Sequence, residues 1–169
     1  MKSGKSRETA MAIDKVREYF AQFDMEHRIR EFDVSSATVE LAAQALGCEG
    51  KRIAKTLSFL VDDKAILIVA AGDAKVDNAK YKAQFQCKAK MLSPEQVVEM
   101  IGHAIGGVCP FGIKEGVSVY LDESLKRFET VFPACGSSNS AIELTNEELE
   151  KYAAPCMWID VCKGWQEEV

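Results

Sequence analysis

Two runs of β-forming residues, Ile53 to Val61 and Ala65 to Ala71, are separated only by Asp62-Asp63-Lys64, and they constrain the fold more than any other stretch. Each run has strand length and is rich in branched and aromatic side chains, and the short polar break between them reads as the turn of a β-hairpin. Within the first run Ile53, Lys55, Leu57 and Phe59 occupy alternate positions, so Lys55 shares a face with three large apolar side chains. A lysine at a solvent edge needs no explanation. One that sits among apolar neighbours needs a hydrogen-bonding partner or a role.

The remaining segments supply helices and further strands around this hairpin. Ile13, Val16, Phe20 and Phe23 recur at helical spacing and predict an amphipathic helix from Arg7 to Asp24. A short strand with Ile29 and Phe32 follows, then a helix from about Thr38 to Leu46, capped by Ser35 or Ser36 and ended by Gly47. After the Gly72-Asp73-Ala74 turn come a short helix from Val76 to Phe85 and a strand from Cys87 to Met91. Ser93-Pro94-Glu95-Gln96 has the form of a capping box and opens a helix carrying Val97, Val98 and Ile101. Val117 to Leu121 reads as a strand and Asp122 to Arg127 as a helical turn. Thr130 to Ala134 and Ala141 to Leu144 form a second hairpin, Thr145-Asn146-Glu147-Glu148 starts a last helix, and Met157 to Val161 is a last strand. Helices and strands are mixed without strict alternation. The expected fold is therefore α+β: one domain with a strongly curved, mostly antiparallel mixed sheet, barrel-like, with flanking helices.

A chain of 169 residues with 47% apolar content can bury a sizeable core as one domain. Residues 1–10 are expected to be a flexible N-terminus and 11–165 the folded domain. The polar start lacks a signal-peptide core and no run reaches membrane-spanning length, so a soluble, cytoplasmic protein without a membrane partner is expected. The six cysteines are scattered singly, with no C-x-x-C pair and only two histidines. They read as reduced core thiols, and neither a metal nor a cofactor is expected. A net charge of −5 argues against DNA or an extended nucleic-acid interface, and leaves Lys75, Lys80, Lys82, Lys88 and Lys90 as the one local basic cluster.

Three glycines and a proline fall within Gly106-Gly107-Val108-Cys109-Pro110-Phe111-Gly112, directly after the predicted Ser93 helix. Such a stretch is either a turn into the next strand or a backbone-lined binding wall, because glycine admits left-handed φ and lets a ligand approach bare backbone. A small polar turn, Ala134-Cys135-Gly136-Ser137-Ser138-Asn139-Ser140, stands before an Ile-Glu-Leu-Thr strand end. Lys55-Thr56-Leu57, the G-x-x-x-P stretch from Gly106 to Pro110 and the Gly136 turn, in this order and spacing, resemble the YbaK/EbsC family of aminoacyl-tRNA deacylases. That family is related to the editing domain inserted in bacterial prolyl-tRNA synthetases, and the resemblance runs from about Met11 to Trp158.

The resemblance implies a trans-editing hydrolase that deacylates mischarged aminoacyl-tRNA, of the Cys-tRNA(Pro) or Ala-tRNA(Pro) class. Its partners would be the tRNA acceptor end and prolyl-tRNA synthetase. In the resembling family a lysine faces the G-x-x-x-P loop, which makes Lys55, Gly106 and Pro110 the catalytic candidates. Gly107, Val108, Cys109 and Phe111 would line the aminoacyl end, and Gly136, Ser137, Ser138 and Asn139 would cradle the terminal adenosine or phosphate through N–H groups. The residues themselves fit a water-based route. There is no G-x-S-x-G elbow and no H-E-x-x-H, and only His27 and His103 could act as imidazole bases; the family resemblance implies that the substrate's own terminal ribose hydroxyl helps order the water. Two other classes remain open at this level: a non-catalytic module that holds a tRNA end or aminoacyl nucleotide, and a thiol-based protein using Cys109.

Overall fold

Asp62 and Asp63 both take left-handed φ values, 49° and 64°, and close the expected hairpin in two residues. This is the mirror-image turn that matches strand twist, and aspartate tolerates it better than most side chains. The computed structural model describes residues 4–166, with side chains from Ala12 onward. In chain order the elements are α1 (Gly4–Ala21), β1 (Arg30–Glu31), α2 (Val39–Leu46), β2 (Ile53–Val61), β3 (Lys64–Ala71), β4 (Lys75–Val76), α3 (Asn78–Phe85) and α4 (Pro94–Gln96). They continue with β5 (Ser118–Asp122), β6 (Thr130–Pro133), β7 (Ser140–Ala141), β8 (Leu144–Thr145), α5 (Asn146–Ala153), β9 (Met157–Ile159) and β10 (Cys162–Lys163).

The main sheet has the order β8-β6-β2-β3-β5-β9 and curves into a half-barrel, the single-domain α+β architecture expected from the sequence. β2 and β3 pair antiparallel over their full length, from Ala54 opposite Ala71 to Val61 opposite Lys64. β6 and β8 are antiparallel, whereas β6 runs parallel to β2, β5 to β3, and β9 to β5. Two small antiparallel pairs, β1 with β7 and β4 with β10, sit beside it. β3 is central, and every residue from Ala65 to Ala71 is buried. A strand covered on both faces shows continuous rather than alternating apolarity.

α1 and α5 pack together: the Tyr19 hydroxyl donates to the Tyr152 carbonyl at 2.6 Å, and the Phe20 and Tyr152 rings meet edge to face at 5.5 Å. α3 sends the buried Tyr81 against Phe59 of β2 at 5.1 Å. Phe59, and therefore Lys55 two pairs away, belongs to that face of the sheet.

Several boundaries differ from expectation. The cap of α2 is Thr38, whose hydroxyl accepts from Leu41 N, while the Ser36 N–H and hydroxyl donate to the Ser138 carbonyl instead. Cys87 to Met91 is not a strand: Met91 makes one bridge to Phe59, because the chain leaves the sheet edge to begin the Ser93 capping box. That helix continues as a wider π turn, Val97–Ile101. The last strand is split into β9 and β10. α1 ends at Ala21, before Asp24 with φ 57°. The expected flexible start falls in part on residues 1–3, outside the described residues.

Candidate active site

β2 floors a cleft because one of its edges is only partly covered. β3 accompanies it throughout, but β6 pairs only with Ile53 and Ala54, and the next backbone partner on that edge is Met91 at Phe59. Into this gap opens a cavity of about 240 Å³, walled by the start of α2, the Ile105 to Val108 loop and Phe132 of β6. Its surface is mainly apolar, with Lys55 as the sole charged side chain among the described residues that line it.

Lys55 is half-buried, and its ammonium donates to the carbonyls of Ala74 and, at 3.4 Å, Gly72. Two of its three N–H groups are thus engaged by the turn that follows β3. Burial lowers its pKa from the ordinary lysine value, an effect opposed by the nearby Cys162 and the Asp73 carboxylate. The acceptors were legible in retrospect. A two-residue hairpin loop sets Lys55 opposite Ala70, and the Gly72-Asp73-Ala74 turn then lies one step along.

The glycine loop divides its tasks by residue. Gly106 lines the cleft with φ 96°, and a Cβ there would stand 3.3 Å from that of Ala37 and 3.5 Å from that of Ser138. Gly107 lies against backbone: its Cβ would fall 2.6 Å from Ser137 N. Val108 returns to the cleft. Cys109, Pro110 and Phe111 turn into the core, where the Phe111 ring meets Phe20 at 4.8 Å. Burial pushes the Cys109 thiol up to about 12. No thiolate is available there at neutral pH, which removes the basis for a Cys109 nucleophile. His103 is also buried; its Nε2–H donates to the Phe111 carbonyl at 2.9 Å, and burial lowers its pKa, so it is a neutral brace for the loop.

Gly136, Ser137, Ser138 and Asn139 stand behind the loop rather than on the cleft surface. Gly136, with φ 91°, packs on the backbone of α1 at Ala12. The Ser137 hydroxyl lies 2.7 Å from that of Ser140 and 2.9 Å from Asn139 Oδ1. Asn139 Nδ2 donates to the Phe32 carbonyl at 3.0 Å, and the Ser138 carbonyl accepts from Ser36 N at 2.6 Å. The turn ties the segment before α2 to the glycine loop. Sequence reasoning did not find the α2 wall, Met91 or Phe132, since no local pattern reports which distant segment covers a sheet edge. Among the described residues no group of three or more His, Cys, Asp or Glu could hold a metal ion, and no helix is long and apolar enough to cross a membrane.

Residues 34–152 match the family described as aminoacyl-tRNA editing domain. An uncharacterized Bacillus subtilis (strain 168) protein, YwhH, is 57% identical over 157 residues, 92% of this chain and 100% of its own. A proline-tRNA ligase of Shouchella clausii is 32% identical over 110 residues, 64% of this chain but only 19% of the ligase. The crystal structure of a candidate trans-editing enzyme for prolyl tRNA synthetase superposes with a TM-score of 0.81 at 29% identity, covering 90% of this chain and 98% of that one.

Proposed function

This chain belongs to the aminoacyl-tRNA editing domain family, and from that premise we propose that it is a trans-editing hydrolase for mischarged aminoacyl-tRNA of the Cys-tRNA(Pro) or Ala-tRNA(Pro) class. The observation that carries the proposal is the half-buried Lys55, which lines a small apolar cleft together with Gly106 and has its ammonium held by the Gly72 and Ala74 carbonyls. At about 240 Å³ the cleft is smaller than the roughly 300 to 1,000 Å³ of sites for drug-sized ligands, which suits one aminoacyl group and not a whole nucleotide.

In this reading the aminoacyl ester enters between β2 and the glycine loop, and the terminal adenosine stays at the mouth. Lys55, a point charge with one N–H beyond its two carbonyl partners, binds a ribose or phosphate oxygen of the terminal nucleotide and sets the ester against the floor. Water adds to the ester carbon, the bond to the ribose oxygen breaks, the ribose oxygen takes a proton, and the amino acid leaves. The neighbouring ribose hydroxyl orders the water, so no protein base is required. The backbone of the loop at Gly106 contacts the aminoacyl end as charge develops on the carbonyl oxygen.

The test is a deacylation screen of the purified protein against mischarged tRNAs under multiple turnover, with free aminoacyl esters as controls. Release of free amino acid from Cys-tRNA(Pro) or Ala-tRNA(Pro), and its collapse when the terminal ribose lacks its 2′-hydroxyl, is the expected result. Binding without turnover would replace the hydrolase by a non-catalytic module. Undiminished cleavage of the deoxy substrate would return the base to the protein.

A further inference from the structure

The Asp73 carboxylate, between the two residues whose carbonyls hold Lys55, is gripped by Arg127 through two parallel bonds, Nη1 to Oδ2 at 3.0 Å and Nη2 to Oδ1 at 2.6 Å. The same guanidinium donates from Nε to the Ser124 carbonyl at 2.9 Å and from Nη1 to the Trp165 carbonyl at 3.1 Å. Its carbon lies 4.6 Å from the Phe128 ring centre and 5.1 Å from that of Trp165. We infer that Arg127 is a positioning residue for Lys55: by fixing Asp73 it fixes the turn whose Gly72 and Ala74 carbonyls aim the ammonium at the cleft. The inference rests on the proposed role of Lys55 in deacylation.

Most exposed ion pairs contribute little, because two long side chains must be held still in water. This one differs in geometry and in what it joins. The fork is bidentate and flanked by two rings, and both side chains are partly exposed, 24% for Arg127 and 34% for Asp73. It connects three segments: the helical turn after β5, the turn after β3, and the chain after β10. Those last two lead into and out of the β4 and β10 pair, where Val76 lies opposite Cys162. On the inner side Ala71 N donates to the buried Ser124 hydroxyl at 3.0 Å, so the end of β3 just before the turn is pinned as well. Among the described residues no other side chain bonds the Asp73 carboxylate. If Arg127 lets go, the carbonyl pair loses its outer anchor, and the Asp73 carboxylate is free to reach for Lys55 itself.

The charged and titratable groups that face Lys55 are Asp73 on the turn, Lys75 on β4, Cys162 on β10 and Glu40 on α2. In the intact clamp burial dominates over them and holds the lysine below its ordinary pKa. A loosened turn admits water and lets Asp73 approach, and both changes raise it.

The experiment follows the titration of Lys55 by NMR of ¹³C-methylated protein, its resonance assigned with Lys55→Ala, together with kcat/KM for deacylation. Arg127→Met is expected to move the Lys55 midpoint up toward the ordinary lysine value and to lower kcat/KM by about tenfold to a hundredfold, the scale of a catalytic group misplaced by about 1 Å. Arg127→Lys, which keeps the charge but not the fork, should fall between, and it carries the test if the methionine variant does not fold. Arg28→Met, which breaks the remote pair with Glu148, serves as a control that lowers stability without moving Lys55. An unchanged Lys55 midpoint in the Arg127 variants overturns the inference whatever happens to activity. If the wild-type protein deacylates nothing, the proposed function falls, and the titration still decides the clamp.

Discussion

Gly106 and Gly107 are neighbours in the loop, yet the reasons each must be glycine differ, and so do the expected costs of a methyl group. At Gly106 the backbone sits at φ 96° while the space beside it is only tight, 3.3 Å to the Ala37 methyl. Alanine there strains the chain by roughly 1 to 3 kcal/mol, which lowers the melting temperature by several degrees, and turnover falls as the loop shifts. At Gly107 the obstacle is the backbone of Ser137 at 2.6 Å, which has no flexible end to move aside. Gly107→Ala should therefore be the more destabilising of the two, separating the loop from the Gly136 turn. Thermal melting and deacylation rates on both variants check this order; a Gly106→Ala protein equal to wild type in both would make the loop a mere connection. His103 and Cys109, within four residues of these glycines and chemically more conspicuous, are core residues whose burial keeps both neutral.

At the scale of elements, the β2–β3 hairpin was legible because its information is local: two β-rich runs, a short polar break, and a register that the turn alone determines. The Ser93 and Thr145 capping boxes were legible for the same reason, and both form as read. What failed was also local in origin. Several hydroxyls preceded α2, and composition could not say that Ser36 would serve the Ser138 carbonyl while Thr38 capped the helix. The side chains and the Ser138 carbonyl of the Gly136 turn fasten two loops together, a task its composition did not show, while its N–H groups stay the proposed cradle for the terminal nucleotide. The hairpin itself offers a test. Asn-Gly is better suited than Asp62-Asp63 to two left-handed residues, so the double replacement should stabilise the protein by about 0.5 to 1 kcal/mol, read as a higher denaturation midpoint with no change in deacylation. Destabilisation would mean that the aspartates serve something other than the turn.

At the scale of the whole molecule, the cleft joins Thr38, Lys55, Met91, Gly106 and Phe132, residues spread over more than half the chain, and the curvature of one sheet brings them together. This is why the sequence showed the ingredients of the site but not its walls: family resemblance pointed to Lys55 and the glycine loop, while pairing between distant segments supplied the rest. A net charge of −5 fits a protein that engages only the end of an RNA. The most direct measurement of the account is the multiple-turnover rate of amino acid release from the preferred mischarged tRNA by wild type and by Lys55→Ala, with the fold of each verified by melting. The expected result is a folded variant whose rate falls by about 10² to 10³. A folded Lys55→Ala protein that deacylates at the wild-type rate would contradict it.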